Sequence, residues 1–149
     1  MAISESVRVS PDLTVGPQPS QERLRQLAED GYRSVVNVRY AGESDQDLTP
    51  AQEGRLVRGL EMSYLHFPVK LKGLRPEHVD HFRHELDYLP APVYLHCDTG
   101  KRVAALAVMT HAIREGRNGE DALAEAKELD FDHDNPELAR FIQLYVDLH

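Results

Sequence analysis

Two short apolar runs, Ser34-Val35-Val36-Asn37-Val38 and Val93-Tyr94-Leu95, constrain the fold of this chain more than any other feature. Runs that are mostly β-branched or aromatic, without regular polar alternation, read as strands buried on both faces. Such strands sit inside a parallel sheet, and each parallel step needs a crossover, usually a helix. The chain supplies the helices. Ser20 offers an N-cap to a segment carrying Leu24, Leu27 and Ala28, and Gly31 closes it. Thr49-Pro50-Ala51-Gln52 has a capping-box pattern with proline at the first helical position, opening a helix to about Leu60. Pro76 begins another in which Val79, Phe82 and Leu86 share one face. Pro90-Ala91-Pro92 breaks it and delivers the chain into the second inner strand. Residues 119–129 and 136–148 predict two closing helices, the second turning Leu138, Phe141, Ile142 and Tyr145 inward.

Val7-Arg8-Val9 and Leu13-Thr14-Val15 read as short strands around a turn at Ser10-Pro11-Asp12, and Met62 to Val69 as a further strand. The segments Tyr40 to Leu48 and Lys70 to Arg75 are polar loops. The alternation predicts an α/β fold of three layers, a central mainly parallel sheet with helices on both faces. With no repeat, low-complexity tract or linker, residues 1–149 are expected to form a single domain, long enough for a sizeable core.

The one cysteine stands where the second inner strand ends, in His96-Cys97-Asp98-Thr99-Gly100-Lys101-Arg102, and Val103-Ala104-Ala105-Leu106 begins a helix at once. In open α/β sheets, ligands bind beyond the carboxyl ends of the strands. Amides at a helix N-terminus point at an anion there, and the helix dipole favours the negative charge. The same field favours the thiolate form of a cysteine. Gly100 lets the backbone approach an anion closely, and Arg102 adds a planar fork of donors that matches phosphate or sulfate oxygens. Cys97 and Arg102 are therefore the candidate reactive groups, with Asp98, Thr99, Gly100, Lys101 and Arg102 forming an anion-binding loop. Asp98 places a carboxylate beside that site, which Lys101 or Arg102 must offset. His96 points to the opposite face from Cys97 if the strand continues. It either orders the loop by bonding to backbone or is a satisfied core histidine.

The net charge of −8 argues against general nucleic-acid binding, although a local nest of amides can still hold one small anion. No apolar run approaches the roughly 20 residues that span a bilayer, and the start of the chain lacks the features of a secretory signal. With a free thiol besides, a cytoplasmic location is expected. His78, His81 and His84 recur every three residues but fall opposite Val79, Phe82 and Leu86, so no metal site is expected there. His111 reads as structural. The run Asp130-Phe131-Asp132-His133-Asp134-Asn135 lacks the Gly-and-Glu pattern of a calcium loop, and reads as an interhelical turn in which Asn135 caps the last helix.

The cysteine loop resembles the signature of cysteine-dependent phosphatases of the dual-specificity type. Leu13-Thr14-Val15-Gly16-Pro17-Gln18-Pro19, followed by Gly31-Tyr32-Arg33-Ser34-Val35-Val36-Asn37-Val38-Arg39, resembles the start of the bacterial beta-lactamase-hydrolase-like, phosphatase-like domains. The resemblance runs from about Val7 to Gly116. It implies a phosphatase-like fold and hydrolysis of a phosphate monoester through a phosphocysteine, with no cofactor and a phosphorylated small molecule or protein as substrate. The broader signature places five residues between cysteine and arginine; here four separate Cys97 from Arg102. That shorter spacing is shared within the narrower family and approaches that of rhodanese-like sulfurtransferases, so sulfur transfer and simple phosphate binding stand as alternatives. In the resembled phosphatases the general acid is an Asp on the loop that here reads Lys70-Leu71-Lys72-Gly73-Leu74, with no carboxylate. Glu43 and Asp45 are the substitutes, while Arg39 ends an inner strand at the same edge, placed to pair with them or to touch the ligand. Lys70 and Lys72 flank the site as attractors of an anion. Nothing in the residues specifies an oligomeric state.

Overall fold

The computed structural model describes residues 5–43, 46–129 and 135–149. β1 (Val7–Ser10) and β2 (Leu13–Gly16) pair antiparallel, and the Ser10 hydroxyl accepts the Asp12 and Leu13 amides in the turn between them. α1 (Gln21–Glu29) starts at Ser20, whose side chain accepts the Arg23 amide. β3 (Ser34–Asn37) follows, then α2 (Pro50–Gly59), where Thr49 and Gln52 complete the expected capping box. β4 (Ser63–His66), α3 (Pro76–Asp87), β5 (Val93–His96), α4 (Lys101–Arg114), α5 (Gly119–Glu128) and α6 (Pro136–Asp147) complete the described elements.

The five strands lie in the order β1-β2-β5-β3-β4, and every pairing except that of β1 with β2 is parallel. The two runs read as inner strands, β3 and β5, are buried along their whole length at the centre. Alternation of side chains separates two cores. Leu13, Val15, Val36, Val38, Val93, Leu95 and Cys97 face the side that carries α4 and the closing helices. Val35 and Tyr94 face the other side, against Leu24 and Leu27 of α1, Val57 of α2 and Met62. α4 is buried from Val103 to Ala112, as expected of a helix that is apolar on all sides.

The strand expected from Met62 to Val69 is regular only over Ser63–His66. Pro68 falls between two amides that bond to β3, at a position that faces away from it on this edge strand, so its missing hydrogen costs the ladder no bond. Pairing with β3 persists beyond the break, with the Phe67 amide on the Asn37 carbonyl at 2.9 Å and the Val69 amide on the Val38 carbonyl at 3.0 Å. Asp45 and the Asp130 to Asp134 part of the acidic run lie outside the described residues. Asn135 caps α6, accepting the Leu138 amide at 3.2 Å. Among the described residues no helix is long and apolar enough to cross a membrane.

Candidate active site

Parallel register decides which loops meet. Gly16, His96, Asn37 and His66 stand side by side across β2, β5, β3 and β4. The chain therefore leaves all four strands at one edge, and the Pro17–Pro19 turn, the cysteine loop, the Arg39–Glu43 loop and the Phe67–Leu74 loop are neighbours. Gly16 makes room at that edge, because a Cβ there would lie 2.2 Å from the Tyr94 hydroxyl. That hydroxyl donates to the Pro17 carbonyl at 3.0 Å, and the Gln18 amide donates to the Asp98 carbonyl at 3.1 Å.

Cys97 directly follows β5 and is 1% exposed. Its Sγ accepts the Gly100 amide at 3.1 Å. Gly100 is the N-cap of α4 with φ of +95°, a left-handed conformation that glycine adopts without the Cβ penalty. The helix N-terminus is thus turned toward the sulfur. Asp98 is exposed, and Thr99 and Lys101 are half-buried around it.

Arg102 occupies the first turn of α4 and is gripped by one carboxylate. Glu43 accepts its Nη1 at 2.8 Å on Oε2 and its Nη2 at 2.7 Å on Oε1, and the Val69 carbonyl accepts Nη1 at 3.3 Å. Glu43 also receives Arg39 Nε at 3.2 Å and the Tyr40 amide at 2.6 Å. The hydrogen bond from Arg102, helped by the Tyr40 amide and Arg39, outweighs partial burial and holds the Glu43 carboxyl down at about 2. Glu43 reciprocally favours the charged guanidinium of Arg102. A carboxyl so held is ionised across the physiological range, which makes Glu43 a partner of Arg102 more readily than a proton donor. Arg39 is 1% exposed and joins Glu43 to the Pro17–Pro19 turn, its Nη1 donating to Gln18 Oε1 at 2.9 Å.

His96 is fully buried, its Nδ1 is 3.1 Å from the Cys97 carbonyl, and its Nε2 is 2.7 Å from Glu53 Oε2. Lys70 lies with its Nζ 5.0 Å from the centroid of the Tyr40 ring, linking the rims of two loops. Lys72 lines a cleft of about 530 Å³ between its own loop and α6, with Leu74, Glu137, Leu138 and Phe141. His78, His81 and His84 are exposed on α3, and His111 lies 3.8 Å from Glu125. Among the described residues no three His, Cys, Asp or Glu side chains form a cluster that could hold a metal.

Residue-level reading passed over Glu53 and the hydrogen-bonding work of Gln18. Gln18 lies in the Leu13–Pro19 segment that carries the family resemblance. Glu53 carried no signal, because an acidic residue in the first turn of a helix is ordinary.

A cysteine at the carboxyl end of the central strand, against a buried helix whose first turn carries an arginine, fits the phosphatase-type α/β folds. The family described as beta-lactamase hydrolase-like protein, phosphatase-like domain, matches residues 6–114, and the chain belongs to it. The beta-lactamase hydrolase-like protein of Agrobacterium fabrum is 27% identical over 113 residues, which are 76% of this chain and 26% of that protein. This chain therefore spans about a quarter of that relative's length. A DUF442 protein of Shewanella putrefaciens CN-32 superposes with a TM-score of 0.77 at 20% identity, over 99% of this chain and 91% of the other. TpbA of P. aeruginosa, in complex with pTyr, superposes at 0.74 and 17% identity, over 96% and 88%. Both share the fold.

Proposed function

We propose that this domain hydrolyses a phosphate monoester, with Cys97 as nucleophile. The observation that carries the reading is the Gly100 amide, turned onto Cys97 Sγ at the N-terminus of the helix that bears Arg102. In the reaction the thiolate attacks phosphorus, the S–P bond forms, and the ester P–O bond breaks with its electron pair leaving on oxygen. Water then cleaves the phosphocysteine, releasing phosphate and restoring the thiolate. Loop amides hold the phosphoryl oxygens, and Arg102 stabilises the charge that spreads over them.

Glu43 does not block this role. A guanidinium has five N–H donors, and Glu43 and Val69 engage three of those on Arg102. Its Nε–H and one Nη2–H remain for two phosphate oxygens, while Glu43 keeps the plane fixed. The four-residue spacing is thereby compensated from outside the loop.

With Glu43 ionised and no carboxylate between Phe67 and Arg75, leaving groups that need little protonation are favoured. Aryl phosphates should turn over faster than alkyl phosphates. The aryl phosphate held by the TpbA neighbour fits the same preference. Hydrolysis of a small aryl phosphate by wild type and Cys97→Ser, over about pH 5 to 8, tests the proposal. Turnover confined to the wild type supports it. Equal, negligible rates overturn it and leave sulfur transfer from thiosulfate as the next assay, which the short cysteine-to-arginine spacing favours.

A further inference from the structure

The proposed mechanism uses one face of the cysteine loop. Beneath its other face lies a buried polar group that the mechanism does not use. Glu53, in the first turns of α2, is fully buried, as is His96. Every other partner of this carboxylate donates to it. Gln18 Nε2 lies 2.6 Å from Oε1. The Tyr64 hydroxyl is a further side-chain partner, and since that oxygen already accepts Asn37 Nδ2 at 3.0 Å, its proton is available to Glu53.

His96 has two acceptors to satisfy. The Cys97 carbonyl can only accept, so Nδ1 carries a hydrogen. Nε2 meets Glu53 Oε2 at 2.7 Å, with one proton between them. A carboxylate served by two other donors is the poorer owner of that proton. Burial alone would push the Glu53 carboxyl up, but the hydrogen bond and charge of His96, with Gln18 and Tyr64, bring it below its usual range.

Tyr94 from β5 has its ring centroid 6.3 Å from that of His96, and burial raises the Tyr94 and Tyr64 hydroxyls well above their usual range, so both stay neutral. Asn37 from β3 and Gln18 from the turn after β2 are uncharged. Cys97, on the strand's own continuation, is the group that would feel the ring's charge.

We propose that Glu53 is a positioning residue of this site. By keeping a proton on both ring nitrogens of His96, it fixes the Cys97 carbonyl and places a buried positive charge one residue from the sulfur. The kinetic consequence rests on the phosphatase reading; the protonation of His96 does not.

Glu53→Gln preserves shape while removing the charge. Its amide oxygen still accepts Gln18, and its NH2 donates to a neutral His96 Nε2, leaving the Nδ1–H bond to Cys97 in place. The first measurement is nitrogen NMR of the His96 ring in the wild type at neutral pH. Both ring nitrogens should be protonated, and Glu53→Gln should show Nε2 without its proton. In the aryl phosphate assay, the low-pH limb of kcat/KM should move up by about one pH unit in Glu53→Gln. That is about a tenfold loss on the acid side, converging with wild type at higher pH. A wild-type spectrum with one unprotonated ring nitrogen overturns the proposal without any variant having to fold. So does a folded Glu53→Gln with an unchanged pH profile. If the wild type has no turnover at all, the phosphatase reading fails and the spectrum alone decides the role of Glu53.

Discussion

Glu43 ties together Arg102, Arg39 and the Tyr40 amide with two oxygens, so its removal is felt in both chemistry and stability. Its carboxyl titrates near 2 in the folded chain, against an ordinary value near 4.5. A depressed folded value gives stability that is complete above about 4.5 and lost as pH falls toward 2. Glu43→Gln should therefore unfold at lower urea concentration than wild type at pH 7, by about 1–3 kcal/mol, with the gap narrowing markedly by about pH 3. Its kcat/KM toward an aryl phosphate should fall about 10–100-fold, because Arg102 loses the partner that holds its plane. A variant as active as wild type would show that the loop alone positions Arg102.

At the scale of elements, the site is a junction between a strand and a helix, and Gly100 is its pivot. Ala at this position must adopt φ near +95° at a cost of roughly 1–2 kcal/mol, or move the amide that faces Cys97. Gly100→Ala should lower the melting temperature by only a few degrees and depress kcat by about 10²-fold or more, since a displaced donor weakens transition-state stabilisation. Equal proportional losses in stability and kcat would place the defect in the fold instead of the loop. The Pro17–Pro19 turn is the complementary element, because Gln18 touches the loop backbone at Asp98, the Glu53 carboxylate and Arg39.

For the whole molecule, α4 is core along most of its length and carries part of the candidate site at its start. It lies under the sheet from Val103 to Ala112, and its first turn carries Arg102. Leu106 is fully buried there, so Leu106→Ala leaves a cavity in the largest core cluster. The expected loss is about 2–5 kcal/mol, or roughly 5–15 °C in melting temperature. kcat measured well below that temperature should change less than twofold, because no residue of the loop is altered. A large loss of kcat in a folded Leu106→Ala would mean that the helix transmits packing changes to its N-terminus.

Most elements and the cysteine loop were legible in the residues because the forces that form them act over short separations. The Thr49 capping box, the proline starts at Pro50, Pro76 and Pro136, and the apolar runs of β3 and β5 each specify their own segment. Partner choice was not legible. Glu43 reaches Arg102 across 59 positions and Glu53 reaches His96 across 43. A carboxylate's sequence neighbours do not say which cation it will meet. The parallel order β2-β5-β3-β4 makes that choice by bringing four strand exits to one edge, where burial obliges each charge to find its counterpart.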